Sequence, residues 1–338
     1  MSYLLFKESS FCSAASTSQE GLEEGPSLSS NQTLRVTLLS SEWRPSKGGL
    51  STINRELAIQ LAKHPNVEVC VYLPKCSEED KKVAASHNVQ LIEAEEVPGL
   101  EPVLWLASVP PNHAMDCIIG HGVPLGRQIP LIKQHHRHCR WIQIVHTAPE
   151  ELGMCKSYEE AICKGEQKHQ AEVKLCELAD QVVAVGPKLT DAYSCYLCFS
   201  KKDQDVLNLI PGIFTEFQSV PQATEERSMF NVLVFGRGDN EDFELKGYDI
   251  AVQAVAELKD TSYQLLFVGA PARKENDVRA KLLKYGISRS QLIIRRFKES
   301  REELAKLFSE VDLAIMPSRT EGFGLTALEA LSDRKSVV

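Results

Sequence analysis

The sequence predicts an α/β protein made of two mostly parallel sheets that face each other across a cleft. Three observations point there. Short β-rich runs alternate with segments of helical apolar spacing through both halves of the chain, as in parallel strands covered by helices on both faces. That rhythm breaks at NLIPGIFTEFQSVPQATEERS (208–228), which carries two prolines, a glycine and a polar run. Finally, 338 residues exceed the ~150 of an average domain, so two domains are the default.

Each element follows in order. Residues 1–33 are rich in Ser, Glu and Gly with no apolar period, and read as a disordered tail. LRVTLLS (34–40) is a β-rich run, and EWRPSKGG (42–49) has the character of a turn. In STINRELAIQLAKH (51–64), Ile53, Leu57 and Leu61 recur every fourth residue on one helical face, with Ser51 as the expected N-cap. VEVCVYL (67–73), MDCIIG (115–120), WIQIV (141–145) and QVVAV (181–185) are the next clear strands. Helices are expected from Arg127 and near 157–178. This first domain is assigned to 34–212, a linker to 213–229 and the second domain to 230–338. The second series runs NVLVFG (231–236), a helix over 248–258, YQLLFVG (263–269), a helix near 275–285, QLIIRRF (291–297), a helix over 300–310, DLAIMP (312–317) and EGFGLTALEAL (321–331). No internal repeat is visible.

Composition narrows the function. With 43% apolar and 25% charged residues, the chain is neither collagen-like, nor a coiled coil, nor wholly disordered. Lys plus Arg number 38 against 46 Asp plus Glu, a net charge of -8 that repels nucleic acid as a main partner. The ten cysteines are scattered through apolar stretches and read as reduced, buried thiols. Cys195-x-x-Cys198 stands without a second pair, and His135-His136-x-His138 lies in a helical stretch without the HExxH pattern, so no metal is expected. His residues outside the site are expected to face solvent. The start, MSYLLFKESSF, is too short and poorly flanked for a signal peptide. No run approaches the ~20 apolar residues of a membrane span. A soluble, cytoplasmic protein is the expectation, in which the Asn31-Gln32-Thr33 glycosylation pattern has no meaning.

Three stretches carry candidate chemistry. Lys47-Gly48-Gly49 lies between a strand and a helix, either as a bare tight turn or as a backbone cradle for phosphate. In VFGRGDNEDFELKG (234–247), Gly236 permits a sharp exit from the strand, while Arg237 and Lys246 are either solvated charges or two cations converging on one anion. The dinucleotide fingerprint fails there because its last glycine position is Glu241. In PSRTEGFGLTALEAL (317–331), a loop presents Glu321 and Gly322-Phe323-Gly324 opens a helix bearing Glu329. The start of that helix suits a diphosphate, and its carboxylates suit sugar hydroxyls. As structure alone, Glu321 would be a first-turn anion and Glu329 a solvent-facing helical residue. A hydrolase pair is disfavoured, because eight residues of helical rise give about 12 Å against about 5–9.5 Å in glycosidases.

Taken together, these residues resemble the retaining, family-4-type glycosyltransferases of the GT-B fold. EGFGLTALEA is similar to their E-x7-E element, FGR…LKG to their Arg/Lys diphosphate site, and KGGLSTINRELAIQLAKH to their glycine-rich first loop and helix. IIGHG, IVHTAPEE and ADQVVAVGPKL resemble stretches of their N-terminal domain, and the set runs in order from about 34 to 332. The resemblance implies two Rossmann-like domains, a nucleoside-diphosphate sugar donor held by the second, and an unknown sugar, lipid or protein acceptor bound by the first. It implies retention of anomeric configuration by same-face attack, with neither metal nor cofactor. Carried over, Arg237 and Lys246 bind the diphosphate, with the backbone of Gly322, Phe323 and Gly324 nearby. Gly48 and Gly49 approach from the opposite lobe. Glu321 contacts sugar hydroxyls, Glu329 the ribose, and His146 stands near the reacting centre. His121 is a further possible site residue, equally readable as a structural histidine.

Two departures qualify the resemblance. The acidic insertion GDNEDFE (238–244) lengthens the gap between Arg237 and Lys246, as a hairpin or flap would. The sequence also stops at SDRKSVV, where the family continues, so the second domain is expected to be incomplete. These departures favour, as the alternative to an enzyme, a non-catalytic GT-B module for nucleotide or sugar binding or for assembly. An epimerase or a phosphorylase fits the ordered motifs less well.

Overall fold

The computed structural model describes residues 33–44, 48–156, 159–201, 205–212, 229–238, 243–296, 301–332 and 336–338. Residues 1–32 of the expected tail (1–33), Lys47, residues 213–228 of the expected linker (213–229) and the acidic stretch 239–242 lie outside the described residues.

The first half runs β1 (Leu34–Leu39), α1 (Gly49–Leu61), β2 (Val67–Leu73), α2 (Glu78–Ser86), β3 (Val89–Glu93), α3 (Pro102–Trp105), β4 (Cys117–His121), α4 (Gly122–Gly126), α5 (Ile129–His135), β5 (Arg140–Val145), α6 (Pro149–Met154), α7 (Ala161–Leu178), β6 (Gln181–Val185), α8 (Pro187–Leu197) and β7 (Leu207–Leu209). Its strands form one parallel sheet in the order β3-β2-β1-β4-β5-β6-β7. The second half runs β8 (Phe230–Phe235), α9 (Tyr248–Glu257), β9 (Tyr263–Ala270), α10 (Glu275–Leu283), β10 (Leu292–Arg296), α11 (Arg301–Ser309), β11 (Leu313–Ala314), α12 (Leu325–Ser332) and β12 (Ser336–Val337). These strands form a second parallel sheet, β10-β9-β8-β11-β12.

Both sheets are buried on both faces. In β1, Leu39 joins the cluster containing Trp141 and Val145, while Val36 and Leu38 join Val69, Ile119 and Ile144 on the opposite side. In β8, Val232 and Val234 pack with Phe267, and Leu233 packs with Phe308 and Ala330. Continuous apolar runs are therefore what these strands require.

Several local expectations change. Helix α1 begins at Gly49 with Gly48 as its N-cap, and Ser51 is buried inside the first turn. Gly48 takes φ 111°, a conformation that only glycine adopts cheaply, which moves the cap three residues upstream. Of DLAIMP, only Leu313 and Ala314 pair as strand. The two-residue β12 then extends the sheet beside β11, too short for any periodicity to announce it. Cys70, Cys117, Cys139 and Cys176 are buried as expected, but Cys163 and Cys195 are exposed on helices and Cys198 is exposed just past the end of α8. His113, His136 and His169 are half-buried, against the expectation of solvent-facing rings. His113 bonds the Thr37 hydroxyl at 2.9 Å, and His169 stacks edge-on against Tyr196. Among the described residues no helix is long and apolar enough to cross a membrane.

One backbone approach shapes the end of the second sheet that matters below. The pairing of β10 skips Gly269 in β9, a bulge at φ 135°. A Cβ there would lie 1.7 Å from the carbonyl oxygen of Gly236, at the exit of β8. Gly269→Ala is expected to cost roughly 2–4 kcal/mol through steric overlap and backbone strain. Urea unfolding of the variant, read as a lowered midpoint at unchanged slope, checks it.

Candidate active site between the two sheets

In open parallel sheets, ligands settle beyond the carboxyl ends of the strands where the strand order reverses. The first sheet reverses between β1 and β4, so its crevice is flanked by Gly48 at the start of α1 and by the His121–Gly122 corner. The second reverses between β8 and β11, which places Gly236–Arg237 on one side and the 315–324 segment on the other. Topology alone thus brings motifs far apart in sequence to the carboxyl ends of the two sheets.

Lys246 is held by the residues that follow the acidic stretch. Beyond residue 242 the chain is fastened again by Phe243, buried edge-on against the Tyr248 ring, which in turn packs on Phe267. The Tyr248 hydroxyl donates to the Arg237 carbonyl at 3.0 Å, tying both ends of the insertion together. Arg319 donates to both carboxylate oxygens of Asp249, at 3.1 and 2.8 Å, and to the Glu244 carbonyl. Its own backbone N–H bonds the Leu245 carbonyl at 2.9 Å. Gly247 completes the stitch: at φ 62° its Cα lies so close to the strand exit that a Cβ would be 1.9 Å from the Pro317 carbonyl oxygen. As a result the Lys246 ammonium sits 2.5 Å from the Glu321 carboxylate. Both groups are about one-third exposed, 31% and 32%, so the pair matters for geometry more than for stability.

The 320–325 segment docks on the first sheet. Gly322 lies against the His146 carbonyl, and a Cβ there would come within 2.3 Å of that oxygen. Phe323 turns its ring onto Gly186, where a Cβ would meet it at 2.7 Å, and joins the apolar cluster under α1. The Lys188 ammonium bonds the Glu151 carboxylate at 2.6 Å, the Thr320 hydroxyl at 3.2 Å and the Glu321 carbonyl at 3.2 Å. Thr320 donates to the same Glu151 oxygen at 2.7 Å. Lys188 and Thr320 together hold the Glu151 carboxyl below its usual pKa. Helix α12 starts at Leu325, so Glu321 is in the loop before it, and a helical-rise distance from Glu321 to Glu329 does not apply. A Cβ on Gly49 would be 3.3 Å from Leu325, which brings the N-termini of α1 and α12 together from opposite sheets. Beside that contact, Gly48 and Gly324 both border open space. The first-turn N–H groups of each helix favour an anion at its own N-terminus.

At the floor, His121 Nδ1 and His146 Nε2 are 2.8 Å apart. His121 is completely buried and does not itself reach the gap, so any part it plays is exercised through His146. Burial drives the His121 pKa far below the ordinary value, with the neighbouring His146 adding to the effect. Burial also lowers His146, to about 4. Both rings are neutral at physiological pH. Glu172 lies behind this corner, 4% exposed, accepting from Gln143 and from the Val123 N–H. Burial raises its pKa to about 7 against the pull of those two donors.

The family described as "Family 4 Glycosyltransferase in conflict systems" matches residues 37–335. The chain belongs to that family. No curated protein matches its sequence. Its fold is the GT-B fold of solved glycosyltransferases. Sucrose-phosphate synthase from Thermosynechococcus elongatus superposes with a TM-score of 0.70 at 19% identity, covering 90% of this chain and 80% of that one. The catalytic domain of Arabidopsis thaliana starch synthase IV, bound to ADP and acarbose, gives 0.62 at 14%, covering 90% and 82%. Anabaena HepE in complex with UDP and glucose gives 0.60 at 14%, covering 90% and 80%.

Within this family 4 glycosyltransferase, the expected site residues divide into groups. Gly49 meets Leu325 at the start of α12, Lys246 pairs with Glu321, and His146 touches Gly322 through its backbone carbonyl. Arg237 is exposed at the exit of β8, its carbonyl held by Tyr248. Phe323 spends its side chain on packing, leaving only its backbone for a ligand. Glu329 is 8% exposed, enclosed on α12 instead of facing solvent. Nothing in the sequence singles out Lys188, Glu151, Thr320, Arg319 or Asp249. Each is an ordinary polar residue in its own segment, and only long-range contacts reveal it.

The histidine shifts set an acid limb. In the unfolded chain a His titrates near 6.5, whereas folded His146 does so at about 4. Its contribution is intact above pH 6.5 and is lost as pH falls towards 4, because the unfolded state alone takes up the proton. His146→Asn is expected to flatten this limb, measured by denaturant unfolding at a series of pH values over that window.

Proposed function

We propose that this glycosyltransferase moves a sugar from a nucleoside-diphosphate sugar to an acceptor hydroxyl with retention of anomeric configuration, and without a metal ion. One observation carries the reading. The α1 and α12 N-termini meet at Gly49 and Leu325, with open space at Gly48 and Gly324 and the Lys246–Glu321 pair in the same loop cluster. That arrangement supports a bound pyrophosphate: amide N–H groups from both lobes, a Lys ammonium and, at the β8 exit, Arg237.

The chemistry follows from charge. As the bond from sugar C1 to the diphosphate oxygen breaks, negative charge accumulates on the leaving group. Prearranged cations and helix dipoles stabilise that charge without reorganising, the largest single contribution in many enzymes. In this reading Arg237 and Lys246 take the diphosphate. Glu321, freed from Lys246 by the incoming phosphate, accepts hydrogen bonds from sugar hydroxyls. Glu329 takes the ribose, and His146 lies beside the sugar. Among known neighbours, HepE is described with UDP and glucose and starch synthase IV with ADP, which supports a nucleotide-linked donor here. No carboxylate among these roles is assigned as a nucleophile, so attack from the leaving-group face accounts for retention.

The experiment is a panel of UDP-, GDP- and ADP-sugars, with release of nucleoside diphosphate as the readout. Arg237→Ala with Lys246→Ala is expected to lower turnover by at least about 10²–10³ and to weaken nucleotide binding by calorimetry. Unchanged turnover overturns the assignment. The anomeric coupling of the product, read by NMR, tests retention separately.

A further inference from the structure

The His121–His146 contact holds information about proton placement. Both rings are neutral, so the 2.8 Å bond between His121 Nδ1 and His146 Nε2 contains one proton. If His146 Nε2 carried it, His121 Nδ1 would be the acceptor and the His121 proton would sit on Nε2. That Nε2 is enclosed and has no hydrogen-bond partner among the described residues. His121 ends the row of β4 residues that includes Cys117 and Ile119, both in the apolar cluster with Ile53 of α1 and Ile144 of β5. An orphaned N–H donor in such a place is rare in folded proteins, whereas an under-satisfied acceptor is better tolerated. The His121 proton therefore belongs on Nδ1, donated to His146 Nε2.

We propose that His121 is a positioning residue that holds His146 as the Nδ1–H tautomer, so that the cleft meets a ring N–H donor and not a ring nitrogen able to take a proton. His146 then hydrogen-bonds an oxygen of the donor sugar and does not act as general base, since one nitrogen is protonated and the other is occupied. The role rests on the reading of this cleft as a nucleotide-sugar site; the tautomer itself does not.

The surroundings keep the His121 ring from shifting. Gln143 Nε2 donates to the Gly122 carbonyl at 3.1 Å and to Glu172 at 3.1 Å, while its Oε1 accepts from Trp141 Nε1 at 3.3 Å. The Val123 N–H donates to Glu172 at 3.0 Å. The two residues after His121 are thereby fastened to β5 and α7, and β4 pairs His121 with Ile144.

Long-range proton–nitrogen NMR on the full-length chain with isotope-labelled histidine, at neutral pH, reads the tautomer directly. The expected wild-type spectrum has His146 protonated on Nδ1 with Nε2 bare and hydrogen-bonded. In His121→Phe the proton is expected to redistribute towards Nε2. His121→Asn, whose amide N–H can replace the lost donor, restores the wild-type pattern. Turnover of whichever nucleotide sugar is accepted, by transfer or by hydrolysis, is expected to fall roughly tenfold in kcat in His121→Phe, with KM changing by less than about twofold, and to recover in His121→Asn. A wild-type His146 protonated on Nε2, or a tautomer indifferent to the Phe substitution, overturns the proposal. If His121→Phe fails to fold, the wild-type and His121→Asn spectra still decide it. Failure of the donor-site reading would appear separately, as absent nucleotide binding alongside the expected tautomer.

Discussion

Every feature of the candidate site depends on how closely the 320–325 segment is allowed to approach the first sheet. At Gly322 the backbone of one half touches a backbone carbonyl of the other, with no room for even one carbon between them. Phe323 is then driven onto Gly186, and Lys188 can span the gap to Thr320 and the Glu321 carbonyl. Each of these contacts presupposes the others. A side chain at either glycine would separate the N-termini of α1 and α12.

The chain invests in this approach from the second sheet as well. Gly247 against Pro317, the Arg319–Asp249 pair and the Arg319 N–H to Leu245 bond join the β8 exit loop to the β11 exit loop. Individually these surface-proximal contacts contribute little energy. Collectively they define where an ammonium and a carboxylate stand, and position, not stability, is what a transfer site needs. The insertion preceding Lys246 is accommodated because Phe243 and Tyr248 anchor the chain on its far side.

Beneath the gap, the first sheet supplies a different kind of constraint. A buried histidine, a buried glutamate and a buried glutamine form a polar inclusion beside an apolar core. Gln143 and Glu172 satisfy each other and the backbone of the His121 corner, as buried polar groups generally must. The remaining freedom is the location of one proton, which is why the two rings carry chemical meaning beyond packing.

Read alone, the residues determined the alternation of strands and helices, the two parallel sheets and the motifs at their carboxyl ends, because these depend on local apolar period and on glycine placement. They also supplied the family resemblance, carried by Arg237, Lys246, Glu321 and Glu329 in order. Helix starts were less legible: Gly48, not Ser51, caps α1, since a left-handed backbone competes with a side-chain cap and pattern does not weigh them. Only the tertiary structure decided that Glu321 lies in a loop against Lys246, that Glu329 is enclosed and that Phe323 is a packing group. The same holds for Lys188, Glu151 and Thr320 and for the partner of His146. All are relations between residues tens to hundreds of positions apart, and long-range proximity leaves no trace in the periodicity of either segment.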